Sequence, residues 1–131
     1  MSFSLDLKKF TDKVEKNGEK IFRGTFIAVT TSVMKRSPVK TGRFRGNWQT
    51  DVNKPSTGEL DRLDKTGTAS LREAVTESAS AKLGDSLYFV NNLPYAKSLE
   101  DGSSTQAPTG MVEVTVNQFQ REVNRQAKNL K

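Results

Sequence analysis

The stretch SLYFVNNLPYAKSLEDGSSTQAPTGMVEVTV, residues 86–116, contains a short apolar run, a turn, a long polar loop and the start of a helical pattern. Residues 86–91 are apolar on both faces, which predicts a strand in the centre of a sheet. Pro94 and Tyr95 turn the chain, and a polar loop over residues 100–108 follows. Because loops often carry the contacts of a protein, this loop is a candidate binding element.

A helical pattern follows the loop and predicts a C-terminal helix over about 110–129. Thr109 is its candidate N-cap, and cations crowd its last turns, where they suit the helix dipole. The alternation over residues 112–116 also fits a strand, so the helix is the preferred of two interpretations. The apolar residues at helical spacing are Val112, Val116, Phe119, Val123 and Leu130.

Towards the N-terminus, residues 4–36 predict one long helix with an apolar stripe. Ser4 is a candidate N-cap, and Pro38 ends the pattern because the residue before a proline avoids helical geometry. Asn17 and Gly18 weaken the middle and predict a kink or break. The stripe consists of Phe3, Leu7, Phe10, Val14, Ile21, Phe22, Phe26, Val29 and Val33.

A change of period to two predicts a strand over about 43–52. Phe44 and Trp48 lie on its apolar face, and Trp48 is predicted to be a core aromatic residue. Arg43 and Arg45 lie on its polar face. Two guanidinium groups there suit carboxylate or phosphate partners, and plain solvent exposure is an equally open interpretation.

Between this strand and the next, residues 53–67 are rich in Pro, Gly, Ser, Thr and Asp and predict a long loop that is mobile alone or ordered by a partner. A short helix over 70–83 follows, with Ser70 and Glu73 in the spacing of a capping box.

The elements together predict a single α+β domain over residues 1–131. A long N-terminal helix and a C-terminal helix pack on a small antiparallel sheet, with one short additional helix. The predicted core residues are Phe22, Phe26, Phe44, Trp48, Leu87, Phe89, Val112 and Phe119.

Composition excludes several kinds of chemistry. The chain has no cysteine and no histidine, which excludes disulfides, thiolate nucleophiles, histidine bases and the commonest transition-metal ligands. No catalytic, metal or cofactor site is predicted. No stretch reaches the length of a membrane span, and the N-terminus is not a secretory signal.

The formal net charge of +6 is unevenly distributed: residues 1–50 carry +7, residues 51–108 carry −3 and residues 109–131 carry +2. A basic N-terminal part fits nucleic acid, a solvated face or an acidic neighbouring subunit.

Three stretches, termed here the motif segments, carry a resemblance to a known family. They are SPVKTGRFR (residues 37–45) followed by Trp48; NNLPYA (residues 91–96) followed by Leu99, Glu100 and Gly102; and QAPTGMV (residues 106–112). In this order, behind a long helix, they resemble the tail-component family of long-tailed double-stranded DNA bacteriophages. Lys40 and Asp101 depart from the family pattern, which often has an acidic and an aromatic residue there.

The resemblance implies a non-enzymatic virion protein of the neck, head–tail joining or tail-completion type, assembled in the host cytoplasm. Its expected partners are copies of itself in a ring, other neck or tail proteins, and packaged DNA passing through the ring lumen. The candidate interface residues are Arg43, Arg45, Tyr95, Glu100, Asp101 and Gln106. The alternative is a small basic nucleic-acid-binding domain, and a small enzyme with no identifiable site is a third hypothesis.

Overall fold

The structure is a computed structural model that describes residues 2–5, 18–82 and 84–129. Over these residues the fold is α+β, as predicted, with helices packed around a small antiparallel sheet. The elements in chain order are β1 (Ser2–Leu5), α1 (Gly18–Arg36), α2 (Arg43–Gly46), β2 (Trp48–Val52), α3 (Thr68–Ser78), β3 (Leu87–Asn91), α4 (Ala96–Glu100), α5 (Val112–Asn117) and α6 (Phe119–Asn129).

The sheet has the order β1-β3-β2, so β3 is the central strand and both of its pairings are antiparallel. Ser2 lies opposite Val90 on one side, and Trp48 lies opposite Asn91 on the other. The apolar composition of β3 follows from this position, because a central strand that is covered on both faces has no solvated side.

The core lies where α1 meets the sheet. Trp48 and Phe89 stack in parallel with ring centroids 4.6 Å apart, and Phe26 meets Phe89 edge-on. Phe22, Phe44 and Leu87 are also buried, whereas Val112 and Phe119 are partly buried and pack against this cluster.

The N-terminal helix is shorter than the sequence predicts. Ser2–Leu5 forms a strand that pairs with β3, so the prediction that the helix and its Ser4 cap begin there is wrong. The alternation of SFSL matches the period of a strand, and pairing with a central strand outweighs helix propensity. Gly18, the site of the predicted break, is the first residue of α1. The middle of the predicted helix, residues 6–17, lies outside the described residues.

The strand predicted over 43–52 is also shorter, because Arg43–Gly46 forms one helical turn and β2 begins at Trp48. The Asn47 side chain donates to the Arg43 carbonyl at 2.8 Å, and the Asn47 backbone N–H bonds the Phe44 carbonyl. These local bonds favour a turn over an extended chain. Phe44 still points inward with 6 % of its surface exposed.

The predicted capping box of the short helix is absent, since α3 begins at Thr68 with Gly67 as its N-cap. Ser70 instead donates to the Arg45 carbonyl at 2.7 Å, and Glu73 accepts from the Thr50 N–H at 2.9 Å. The two side chains therefore join α3 to the segment around β2.

The C-terminal segment is helical rather than extended, but Gln118 separates it into α5 and α6. Met111, not Thr109, occupies the N-cap position of α5, and its own side chain makes no capping bond.

Candidate functional site

The motif segments, which lie up to 67 residues apart in sequence, meet at one surface groove of about 330 Å³. We refer to it as the motif groove. Its lining residues come from each of the three regions and the loop between them: Pro38, Val39, Lys40, Thr41, Phe44, Tyr95, Leu99, Ser104 and Gln106.

Gln106 joins the two walls of the motif groove. Its side-chain oxygen accepts from the Val39 N–H at 2.9 Å, and its side-chain nitrogen donates to the Val39 carbonyl at 3.0 Å. A single amide side chain thus pairs with one backbone unit in the way a neighbouring strand would. Gln106 therefore holds the two walls of the motif groove together and leaves its apolar floor open.

The floor of the motif groove is aromatic and aliphatic. The rings of Phe44 and Tyr95 lie 6.1 Å apart at a tilted angle, with Leu99 beside them. Phe44 is buried, whereas Tyr95 is 40 % exposed and is among the most exposed large apolar side chains of the described residues. Lys40 is exposed at the edge. A partly exposed tyrosine over an apolar floor is typical of a protein contact surface.

Glu100 holds the helix behind the motif groove. One of its carboxylate oxygens accepts from the N–H groups of Met111 and Val112 at 2.8 and 2.9 Å, and the other accepts from Glu113 at 2.9 Å. The first N–H groups of a helix have no partner within the helix, so a carboxylate from another segment serves as the cap of α5.

Two glycines allow the loop between α4 and α5 to close on itself. Gly102 and Gly110 both have positive φ, at 93° and 84°. A Cβ on Gly102 would lie 2.4 Å from the Pro108 carbonyl oxygen, and one on Gly110 would lie 2.5 Å from the Glu100 carbonyl oxygen. Only glycine fits this approach.

The remaining loop candidate, Asp101, is exposed and lies at the end of α4. Its carboxylate pairs with Lys97 one helical turn earlier at 3.2 Å, with both side chains largely in solvent.

The predicted pair of arginines on one open face is not formed. Arg43 is exposed and pairs with Glu59 at 2.9 Å. Arg45 turns to the backbone and donates to the carbonyls of Ser37 and Lys65, both at 3.0 Å. Partial burial lowers the pKa of Arg45, and the nearby charge of Asp64 opposes that shift.

The polar side chains of β2 and of Asn47 just before it bind the loop over residues 53–67. Asn47 exchanges two hydrogen bonds with the backbone of Leu60, at 2.7 and 3.0 Å. Gln49 donates to the Gly58 carbonyl at 2.7 Å, and Asp51 accepts from the backbone N–H of Ser56 at 3.1 Å.

Arg62, in the same loop, covers the outer edge of β2. It donates to the Gly46 and Trp48 carbonyls at 2.8 and 3.0 Å and pairs with Glu73 at 3.3 Å. Glu73 in turn accepts from the Thr50 N–H. An edge strand offers unpaired backbone groups to other chains, and this ion pair occupies two of them.

Local sequence signals do not predict the roles of Arg62, Glu100 and Gln106. Each binds backbone at least eleven residues away, and no spacing rule connects such positions. The one related signal in the sequence was the alternation of polar and apolar residues around β2. It predicted a polar face but not the loop over residues 53–67 that this face binds.

The described residues contain no group of three or more Asp or Glu side chains placed to hold a metal ion. Nor does any helix in the described part of the chain combine the length and apolar character that a bilayer span requires. Comparisons with protein-family models, with curated proteins and with solved structures find no match to this chain.

Proposed function

We propose that this protein is a structural subunit of a tailed-bacteriophage virion, forming a ring at the neck or the proximal end of the tail. The observation that carries the proposal is the motif groove. Segments that are distant in sequence and that resemble one family are held together at a single surface with an open apolar floor.

The construction of the motif groove supports a protein contact. Its walls are fixed by bonds within the chain, from Gln106 to Val39 and from Glu100 to the start of α5. A surface that is rigid before binding loses little conformational entropy when a partner docks. In a ring each subunit presents two different surfaces to its two neighbours, so the motif groove of one subunit would bind a different surface of the next subunit.

The fold divides the predicted interface residues into two groups. Arg45, Glu100 and Gln106 bond to backbone groups of their own chain and position the surface. The proposed contact residues are Tyr95, which is exposed and lines the motif groove, and the exposed Arg43 and Asp101.

The test is the oligomeric state of the purified chain, measured by light scattering and sedimentation over a range of concentrations. We expect Tyr95→Asp to weaken self-association about 30-fold, since a central tyrosine contributes about 2 kcal/mol or more to an interface. Leu63→Asp is the matched control, because Leu63 is 69 % exposed and does not line the groove. A urea melt of each variant verifies folding.

Two results together would overturn the proposal. One is a wild-type chain that remains monomeric at every concentration. The other is a genome in which no portal, capsid or tail-tube gene lies beside the gene that encodes this chain. Equal weakening by Tyr95→Asp and Leu63→Asp would reject the motif groove as the contact surface.

The alternative of a free nucleic-acid-binding domain is favoured by the net charge of +6. It predicts DNA binding by a monomer and no effect of Tyr95→Asp, because Tyr95 lies in the groove and not among the cations of the helices.

A further inference from the structure

The chain folds back on itself directly after β2. Residues 56–60, which we call the strap, are bonded by polar side chains in and just before β2. Alternate residues of the two segments pair in antiparallel order: Asp51 bonds Ser56, Gln49 bonds Gly58 and Asn47 bonds Leu60. Asn92 adds bonds to the Ser56 and Gly58 carbonyls, at 2.9 and 3.0 Å. The strap is therefore held along its whole length.

The turn between β2 and the strap ends in an exposed tip, formed by Lys54 and Pro55. On one side of the tip, the Asn53 N–H donates to the Ser86 carbonyl at 2.7 Å, and the Asn53 side chain accepts from the Ser86 N–H at 2.9 Å. On the other side, the bonds of the strap fix the chain. The tip is thus ordered before any partner binds, so docking it costs little conformational entropy.

The tip and the motif groove lie beyond opposite ends of β2. The ring of Phe44, in the groove, lies 5.8 Å from the ring of Trp48, the first residue of β2. The tip follows Val52, the last residue of β2. These two ends are about 13 Å apart, at about 3.3 Å per residue of strand. A contact between the tip of one copy and the groove of another is therefore head-to-tail, and each copy keeps its other surface for a further neighbour.

The apolar part of the tip suits the floor of the motif groove. The pyrrolidine ring of Pro55 is exposed and apolar, and the floor is formed by Phe44 and the 40 % exposed Tyr95. Proline-containing segments dock in grooves that aromatic side chains line, and a proline side chain has almost no conformational entropy to lose.

The charged part of the tip suits one wall of the groove. Lys54 takes part in none of the ion pairs of the described residues. Asp101 is exposed two residues after Leu99, which lines the groove, and its pair with Lys97 lies largely in solvent, where such pairs are weak. Lys40, on the other wall, is an exposed cation that repels Lys54. The charges therefore direct Lys54 towards Asp101.

We infer that the tip of one subunit binds in the motif groove of the next, with Pro55 on the floor of Phe44 and Tyr95 and with Lys54 beside Asp101. This inference rests on the proposed function and deepens it, because it names the second of the two surfaces that a ring requires.

The first experiment compares Pro55→Asp with Leu63→Asp by sedimentation over a range of concentrations. We expect Pro55→Asp to weaken self-association about 10-fold or more, because it places a charge on an apolar floor. Leu63→Asp is the matched control, since Leu63 is an exposed apolar residue of the same loop and should leave association unchanged. A urea melt verifies that both variants fold.

The second experiment mixes two defective chains. Pro55→Asp retains an intact groove, and Tyr95→Asp retains an intact tip. At a concentration at which each variant alone is monomeric, we expect the equimolar mixture to form a heterodimer. Growth should stop there, because the free groove and the free tip of the heterodimer are both defective.

A charge exchange tests the orientation. Lys54→Asp and Asp101→Lys should each weaken self-association, and the double variant should recover most of the wild-type affinity. A double variant as weak as the sum of the two single changes would overturn the placement of Lys54 beside Asp101.

The results also separate this inference from the proposed function. An associating wild type that Tyr95→Asp weakens and Pro55→Asp does not would reject the tip and retain the ring. Failure of the mixture to form a heterodimer would likewise reject the tip. A wild-type chain that remains monomeric at every concentration would oppose both.

Discussion

The segment from residue 37 to residue 111 and the last helix, α6, place some of their charged side chains in different surroundings. In the first, Arg62, Arg45 and Glu100 turn to backbone groups of their own chain. In the second, Arg121 and Lys128 stand exposed on a helix whose other side is buried. The three charged side chains of the first region stabilise the fold through backbone bonds, whereas Arg121 and Lys128 lie at the surface of α6.

The difference follows from secondary structure. A helix satisfies its own backbone, so its surface side chains are released for other contacts. The region from 37 to 111 has long loops whose backbone groups need partners, because an unpaired buried polar group costs free energy. Its polar side chains supply those partners.

The largest difference is expected between two single arginine-to-methionine variants, one in each region. Arg62→Met removes bonds to the Gly46 and Trp48 carbonyls and should lower the free energy of unfolding by about 2 to 3 kcal/mol. Most of this comes from the backbone bonds, since the pair with Glu73 is partly exposed and screened. Arg121→Met should change it by less than about 0.5 kcal/mol.

Urea unfolding at neutral pH measures both values. Similar losses in the two variants would show that the contrast between the regions does not exist. Aggregation of Arg62→Met at high concentration is also expected, because the outer edge of β2 loses its cover.

An intermediate effect is expected at Glu100. Glu100→Gln keeps a carbonyl acceptor but loses the charge that faces the N–H groups of Met111, Val112 and Glu113. We expect a loss of about 1 to 2 kcal/mol in the free energy of unfolding. Asp101→Asn, on the adjacent exposed residue, is the control.

Hydrogen exchange locates the effect of this substitution. Faster exchange at the amides of Met111, Val112 and Glu113 in Glu100→Gln, and not in Asp101→Asn, is the expected pattern. Unchanged exchange there would mean that the cap contributes nothing to α5.

The smallest effect concerns the carboxylate of Asp85. Asp85 accepts from the Asn53 side chain at 3.0 Å and from the Lys82 N–H at 2.8 Å, and these bonds lower the pKa of Asp85. A lowered pKa means that ionised Asp85 favours the folded state above its unfolded pKa of about 3.9. That contribution disappears as the pH falls through the folded value.

Asp85→Asn should therefore be slightly less stable than the wild type at pH 7, and the difference should vanish in acid. Urea midpoints at several pH values test this. A carboxyl titration by NMR with a midpoint at or above about 3.9 for Asp85 would contradict it.

The extent of correct prediction differs from element to element. The strand β3 was found from its continuous apolar run and α1 from its periodic apolar stripe, and Trp48 was correctly expected to be a core residue. The helical turn at 43–46 was missed, because alternation continues through it and its bonds to Asn47 are not visible as a pattern. Strand β1 was missed because its partner lies more than eighty residues away.

The candidate site was predictable only in part. Tyr95 and Gln106 were identified through the resemblance, but nothing in their spacing indicated that Gln106 meets Val39 or that Tyr95 meets Phe44. Residues 53–67 were expected to be mobile from composition. In the structure the backbone of this loop is held by side chains from outside it: Asn47 donates to the Leu60 carbonyl and Gln49 to the Gly58 carbonyl.

The amino-acid sequence settled the α+β class, the central position of β3, the absence of cysteine and histidine chemistry and the uneven charge. These features are either local patterns of apolar residues or counts of residue types, so both can be obtained from the sequence directly. Tertiary structure decided which polar side chains are used inside the molecule and which remain at its surface. Glu100, Arg62 and Gln106 acquired their roles from partners distant in the chain, and the motif groove exists only because the fold brings its walls together.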